Sequence, residues 1–220
     1  MAAHTEKQDK PGGKAEARKL IGALLLISLV IVIIGGAIIA NLNLQAQPKQ
    51  AFTSDNSRAL GPANAAVIIV EYGDFGCTTC KAWEEQAIIP KIQAKYGDKV
   101  RFVWRDLPII TPESPKAAEA AYCALDQGKF WQYHDLLYLK APALNINDLK
   151  TYAAQLGLDT EKFNTCLETG QHANDVQADL KDGLSRGFRA TPAFLVNDQP
   201  YAGPPSYEQL SQLIDTHLKQ

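Results

Sequence analysis

Val67–Tyr72 (VIIVEY) is a short β-branched run with a single charge, and its pattern predicts a buried strand. After a turn at Gly73–Gly76, apolar positions recur at helical intervals over Thr79–Tyr96, with Trp83, Ala87 and Ile88 on one side. Pro90 predicts a kink inside that helix. Val100–Arg105 (VRFVWR) predicts a second strand, so the segment reads as a βαβ unit with parallel strands and a right-handed crossover. From about 114 to 187 nearly every stretch has helical spacing, broken by Gly, Pro or Asn, and several stretches open on a capping Asn or Asp. Ala193–Asn197 predicts a strand and Asp198–Gly203 its hairpin partner. Tyr207–Leu218 predicts an amphipathic helix with Leu210, Leu213 and Ile214 on one face. The order is β-α-β, an all-helical insertion over about 112–187, then β-β-α. That is an α/β fold.

The N-terminal pattern is different. Residues 20–40, LIGALLLISLVIVIIGGAIIA, hold no charge and no proline. As a helix they reach about 30 Å, the thickness of a bilayer's hydrocarbon core, so a retained transmembrane anchor is expected. The alternative is a cleaved signal peptide, whose apolar region normally runs only ~7–15 residues before a small-x-small site. Lys7, Lys10, Lys14, Arg18 and Lys19 precede the span, whereas the twenty residues after it carry only Lys49 and Arg58. Positive charge stays inside, so residues 1–19 are expected to be a cytoplasmic tail and everything after residue 40 to lie outside the cytoplasm at the cell membrane. Residues 41–60 are polar and read as a linker, which leaves 61–220 as the folded domain.

Charge and cysteines narrow the chemistry. The tail's five basic and three acidic residues leave the remainder of this net −2 chain at −4, with no basic stripe for nucleic acid. Two of the four cysteines, Cys77 and Cys80, form a C-x-x-C at the strand-to-helix junction. A structural zinc site needs four ligands, and His134, His172 and His217 stand alone. Covalent haem needs His after the second cysteine, where Lys81 stands. An iron–sulfur cluster needs further closely spaced cysteines. No cofactor is expected. A structural small-loop disulfide stays open as the plain alternative. The junction favours redox chemistry, because unpaired N–H groups at a helix start stabilise a thiolate. Cys77 is placed to attack and Cys80, one turn inward, to resolve the mixed disulfide.

The stretches VEYGDFGCTTC (70–80), VRFVWRDLP (100–108), AAEAAYCALDQGKFWQYHDLLY (117–138) and ATPAFLVND (190–198) together resemble the DsbA-like thiol:disulfide oxidoreductases, here in membrane-anchored form. The resemblance covers nearly all of 61–220 and implies a thioredoxin fold with a helical insertion. It also implies that Thr191-Pro192 is a cis-proline element facing the active site, whereas the residues alone suit a trans proline opening an edge strand. It implies that Glu71 is a buried acid able to take the proton of Cys80, whereas the pattern alone equally suits a strand-end Glu reaching solvent. Strongly oxidising relatives commonly carry Pro after the first cysteine and often His before the second; Thr78 and Thr79 stand here. The activity implied is insertion of disulfides into reduced or misoxidised extracytoplasmic proteins, with reoxidation by a quinone-linked membrane partner of DsbB or VKOR type. A reductase or isomerase is the alternative, and a tethered binding protein or chaperone with an inert bridge is a third.

Cys123 and Cys166 fall in helical patterns, AAYCALD and FNTCLET, among apolar neighbours. Two buried free thiols fit that setting. The even cysteine count and an oxidising compartment favour a Cys123–Cys166 structural disulfide.

Overall fold

In a computed structural model that describes residues 58–201 and 203–219, five strands form one mixed sheet in the order β1-β3-β2-β4-β5. The strands are β1 (Ala59–Leu60), β2 (Val67–Gly73), β3 (Val100–Asp106), β4 (Ala193–Val196) and β5 (Gln199–Tyr201). β2 and β3 run parallel, from Val67 opposite Val100 to Gly73 opposite Asp106, and the other pairings are antiparallel. Helices α1 (Thr78–Glu84) and α2 (Ile88–Tyr96) cross between β2 and β3. Helices α3 (Ser114–Leu125), α4 (Phe130–Lys140), α5 (Ile146–Gln155), α6 (Thr160–Thr169) and α7 (Ala173–Ser185) form the insertion, and α8 (Tyr207–His217) closes the chain.

Alternation along the strands divides the core. Val67, Ile69, Phe102 and Phe194 pack under α2 and α8 with Ile92, Leu210 and Ile214. Val70, Tyr72, Val103 and Leu195 face the other way, against Leu180 and Phe188. Full burial of each such side chain contributes roughly 1.5–3 kcal/mol. A third cluster joins Phe75, Cys77, Cys80 and Trp104 to the insertion through Ala121, Phe130, Tyr133 and Leu137. The insertion therefore forms the wall beside the two cysteines. Gly73 makes room for that wall, since a Cβ there would sit 2.0 Å from the indole of buried Trp104.

Two expectations are corrected. The predicted single helix over Thr79–Tyr96 does not kink at Pro90. It breaks between Glu84 and Ile88, where Ala87 is left-handed at φ 51° and exposed rather than packed beside Trp83. A proline ring clashes with the carbonyl four residues back, here Gln86, so the break falls upstream and Pro90 rests in the first turn of α2. The linker expected through residue 60 is already folded at Arg58. Ala59–Leu60 add an edge strand to β3, and Arg58 is buried with Nη1 2.6 Å from Asp179 and 3.2 Å from Asp106. Its guanidinium lies 4.4 Å from the centre of the Tyr122 ring.

The tail 1–19, the span 20–40 and linker residues 41–57 lie outside the described residues. Among the described residues no helix is long and apolar enough to cross a membrane.

Candidate active site

β2 ends at Gly73 and the chain turns through Asp74–Gly76 into α1, which places Cys77 at the N-cap of that helix. The Cys80 N–H donates to Cys77 Sγ at 3.4 Å. In its thiol form Cys77 donates to the Thr191 carbonyl at 3.3 Å. Both thiols are free. Cys77 keeps 6% of its surface exposed, while Cys80 keeps none. The Thr191–Pro192 bond is cis, and this element abuts Cys77 just before β4.

The turn is held by a residue the sequence did not single out. Asp74, 1% exposed, takes the N–H groups of Gly76 at 2.7 Å, Ile109 at 2.7 Å and Ile110 at 2.8 Å on its two carboxylate oxygens. Its own carbonyl accepts from the Cys77 N–H at 3.0 Å and from the Tyr138 hydroxyl at 3.3 Å. One buried carboxylate thus ties the cysteine turn to the β3–α3 loop, leaving Ile109 and Ile110 exposed.

Environment sets the two thiols apart. The Cys77 thiol is pulled down to about 5, chiefly by the hydrogen bond from the Cys80 thiol, with burial opposing, and further by the Thr191 hydroxyl and the N–H groups of Cys80 and Thr79. The Cys80 thiol is pushed far up, first by burial, then by its hydrogen bond to Cys77 and the charge of Glu71. At neutral pH the pair is one thiolate, 6% exposed, and one fully buried thiol.

Glu71 is fully buried on β2, opposite Trp104 of β3 and Phe194 of β4. Burial, followed by the neighbouring carboxyl of Glu84, raises it well above the ordinary carboxylate range. Beside them stands His134, 1% exposed, its ring 4.6 Å from that of Trp104 and 5.1 Å from those of Trp131 and Tyr138.

Cys77, Cys80, Thr191, Pro192 and Glu71 therefore come together at one end of the sheet. Cys123 and Cys166 do not join them; they are bonded to each other between α3 and α6. Among the described residues, Asp126, Cys166 and His172 offer metal-ligand atoms within 4.8 Å of one another. Cys166 is committed to the disulfide, and the His172 ring nitrogens lie 2.8 Å from Asp126 and 2.7 Å from Asp175. The group is an ion-paired brace between α3 and α7. Asp74, Glu84 and His134 are the site residues that sequence reasoning missed. Glu84 alone left a signal, one helical turn after Cys80 on the same face of α1.

Residues 53–216 match a family model described as thioredoxin. BdbD from Bacillus subtilis, in its oxidised crystal structure, is 26% identical, with a TM-score of 0.69 over 74% of this chain and 93% of that one. A thioredoxin-like oxidoreductase from Silicibacter pomeroyi is 27% identical, with a TM-score of 0.68 over 78% of this chain and 98% of its own. A Na(+)/H(+) antiporter NhaA 3 from Salinispora tropica is 35% identical over 162 residues, 73% of this chain and 24% of that protein. The chain spans about a quarter of the length of the curated relatives it matches.

Proposed function

The chain belongs to the thioredoxin family, and from that premise we propose that it is a DsbA-like thiol:disulfide oxidoreductase that introduces disulfides into other proteins. The observation that carries this reading is the asymmetry of the cysteine pair, a helix N-cap thiol pulled down to about 5 that keeps a sliver of exposed surface over a resolving thiol that keeps none. A stabilised thiolate favours the reduced enzyme, and hence makes its disulfide an oxidant. The oxidised enzyme gives its Cys77–Cys80 disulfide to a substrate dithiol and leaves as thiolate and thiol. Proteins with reduced or misplaced cysteines are the substrates. A quinone-linked membrane partner of DsbB or VKOR type restores the disulfide.

Work outside the cytoplasm, on a single-pass anchor at residues 20–40, belongs to the same proposal. It is supported by the basic residues ahead of that span and by the Cys123–Cys166 disulfide, a bond that persists in oxidising compartments. Ion antiport, the activity in the curated relatives' names, is no part of the proposal, because the alignment covers only about a quarter of those proteins.

The experiment is the equilibrium of Cys77–Cys80 with glutathione, paired with oxidation of a reduced, unfolded protein. Thioredoxin combines a thiol near 7 with about −270 mV, and DsbA one near 3.5 with about −120 mV. A thiol near 5 falls between them and sets the expected potential at about −180 mV, with net disulfide formation in the substrate. No charged group separates the cysteines, so Thr79→His is expected to raise the potential by stabilising the Cys77 thiolate. A potential near −270 mV, with the substrate left reduced, makes the protein a reductase and overturns the oxidase reading.

A further inference from the structure

Arg58 immediately precedes β1, a strand of only two residues, yet its side chain is spent on a buried set of groups rather than on solvent. Its Nη1 lies between Oδ2 of Asp179 on α7 and Oδ2 of Asp106 at the end of β3, and its guanidinium faces the Tyr122 ring on α3. Asp179 Oδ2 also accepts the Asp106 N–H and the Tyr122 hydroxyl, each at 3.2 Å. Two carboxylates this close and out of water repel, and the guanidinium between them offsets that repulsion.

The other oxygen of Asp106 leads toward the cysteines. Oδ1 accepts the Trp104 indole N–H at 3.0 Å. That indole is fully buried against the turn that ends in Cys77. It stacks on Phe75 with ring centres 5.2 Å apart and 26° between the planes, and it fills the space where Gly73 would carry a Cβ. Gly73 and Phe75 are the two neighbours of Asp74, whose carbonyl accepts the Cys77 N–H. The Leu107 N–H donates to the Gly73 carbonyl at 2.8 Å, so the residue after Asp106 is bonded to the start of the same turn. Contacts therefore run without a gap from Arg58 through Asp106 and Trp104 to Cys77.

We propose that Arg58 is a positioning residue for the cysteine pair: acting through Asp106 and Trp104, it fixes the turn that presents Cys77. The strand by which the chain enters the domain is then a working part of the active site. This role rests on exchange through Cys77 and Cys80 and adds what holds that pair in place.

The physical link is the charge of Asp106. An ionised carboxylate accepts a hydrogen bond more strongly than a neutral one. Burial raises Asp106 above the ordinary carboxylate range, and Arg58 is the largest influence opposing that rise. Without the guanidinium Asp106 takes up a proton more readily and its grip on the indole weakens. Trp104 is then free to tilt, and the turn packed on it loses its support. The N–H of Cys80 reaches Cys77 Sγ only while that turn is held, so the thiolate loses stabilisation and the disulfide becomes a weaker oxidant. The charged and titratable groups in and around this set are Arg58, Arg105 and Asp106 on β3, Tyr122 on α3, His134 on α4 and Asp179 on α7.

The test is the equilibrium of Cys77–Cys80 with glutathione at pH 7 in full-length variants. Arg58→Met, which keeps a long stem and removes the charge, is expected to lower the equilibrium constant for oxidising glutathione about tenfold, equivalent to about 30 mV. Arg58→Lys keeps the charge and is expected to stay within about three-fold of wild type. Asp106→Asn keeps the shape without the charge and is expected to lower the constant about five-fold. The double variant Arg58→Met, Asp106→Asn is expected to fall no further than Arg58→Met alone, because the two residues act in series. By NMR, the Trp104 indole N–H is expected to exchange with deuterium about tenfold faster in Arg58→Met. An unchanged constant in a folded Arg58→Met protein, even one that melts lower, overturns the positioning role and leaves Arg58 as a brace. Effects that multiply fully in the double variant overturn it as well. Should Arg58→Met fail to fold, Asp106→Asn decides, and an unchanged constant there overturns the role. A wild-type pair that does not exchange with glutathione overturns the exchange reading and the positioning role with it.

Discussion

Cys80→Ala is expected to freeze the protein on its substrates. Cys77 remains a thiolate at neutral pH and still attacks a disulfide, but no second thiol can reach Cys77 Sγ to expel the adduct. Non-reducing gels should display a ladder of mixed disulfides, each carrying Cys77 by mass spectrometry, and turnover should fall by about 10³-fold or more, the scale of loss when an attacking group is removed. Cys77→Ala should give neither ladder nor turnover. A Cys80→Ala protein that turns over normally without adducts contradicts the division of labour between the two thiols.

The second large effect concerns stability. The Cys123–Cys166 bond closes a 43-residue loop that spans α3 to α6, across the wall that packs beside the active site. Chain entropy assigns such a loop about 4 kcal/mol as an upper guide, and removal of a native bridge commonly costs about 2–5 kcal/mol. A Cys123→Ala, Cys166→Ala double variant should therefore melt well below the wild type by calorimetry while exchanging disulfides at a similar rate, because neither residue is among the groups that set the Cys77 and Cys80 thiols. Both cysteines lie within their helices rather than at a helix start, so neither thiolate gains the stabilisation Cys77 has, and mild reductant should open Cys77–Cys80 first. An unchanged melting temperature contradicts the structural role, and lost exchange in a folded double variant contradicts its separation from the chemistry.

The parts of this molecule legible from sequence are those encoded in local pattern. β2 and β3 announce themselves because both of their faces are buried, which leaves short, largely apolar, β-branched runs, and the helical insertion by its spacing and capping residues. Cys77 and Cys80 were legible from their spacing at a strand-to-helix junction, and Thr191-Pro192 and Glu71 only through resemblance. What escaped depends on partners distant in the chain. β1 is two residues long and owes its place to edge pairing and to Arg58, whose acidic partners lie 48 and 121 residues away. The helix break was displaced from Pro90 because a proline disturbs the turn before it. Asp74 binds backbone N–H groups, which have no side-chain signature. Glu84 gains its meaning only from Glu71, which the fold brings beside it.

Exchange through this pair requires Cys77 to be a thiolate while Cys80 is not, and ultraviolet titration of thiolate absorbance in the reduced protein reads this directly. The expected curve has one midpoint near pH 5, absent in Cys77→Ser and displaced upward in Cys80→Ala, where the strongest hydrogen bond to the thiolate is lost; Cys80 contributes no step up to about pH 9. A Cys77 midpoint at about 8.5, the value of an unperturbed cysteine, contradicts it.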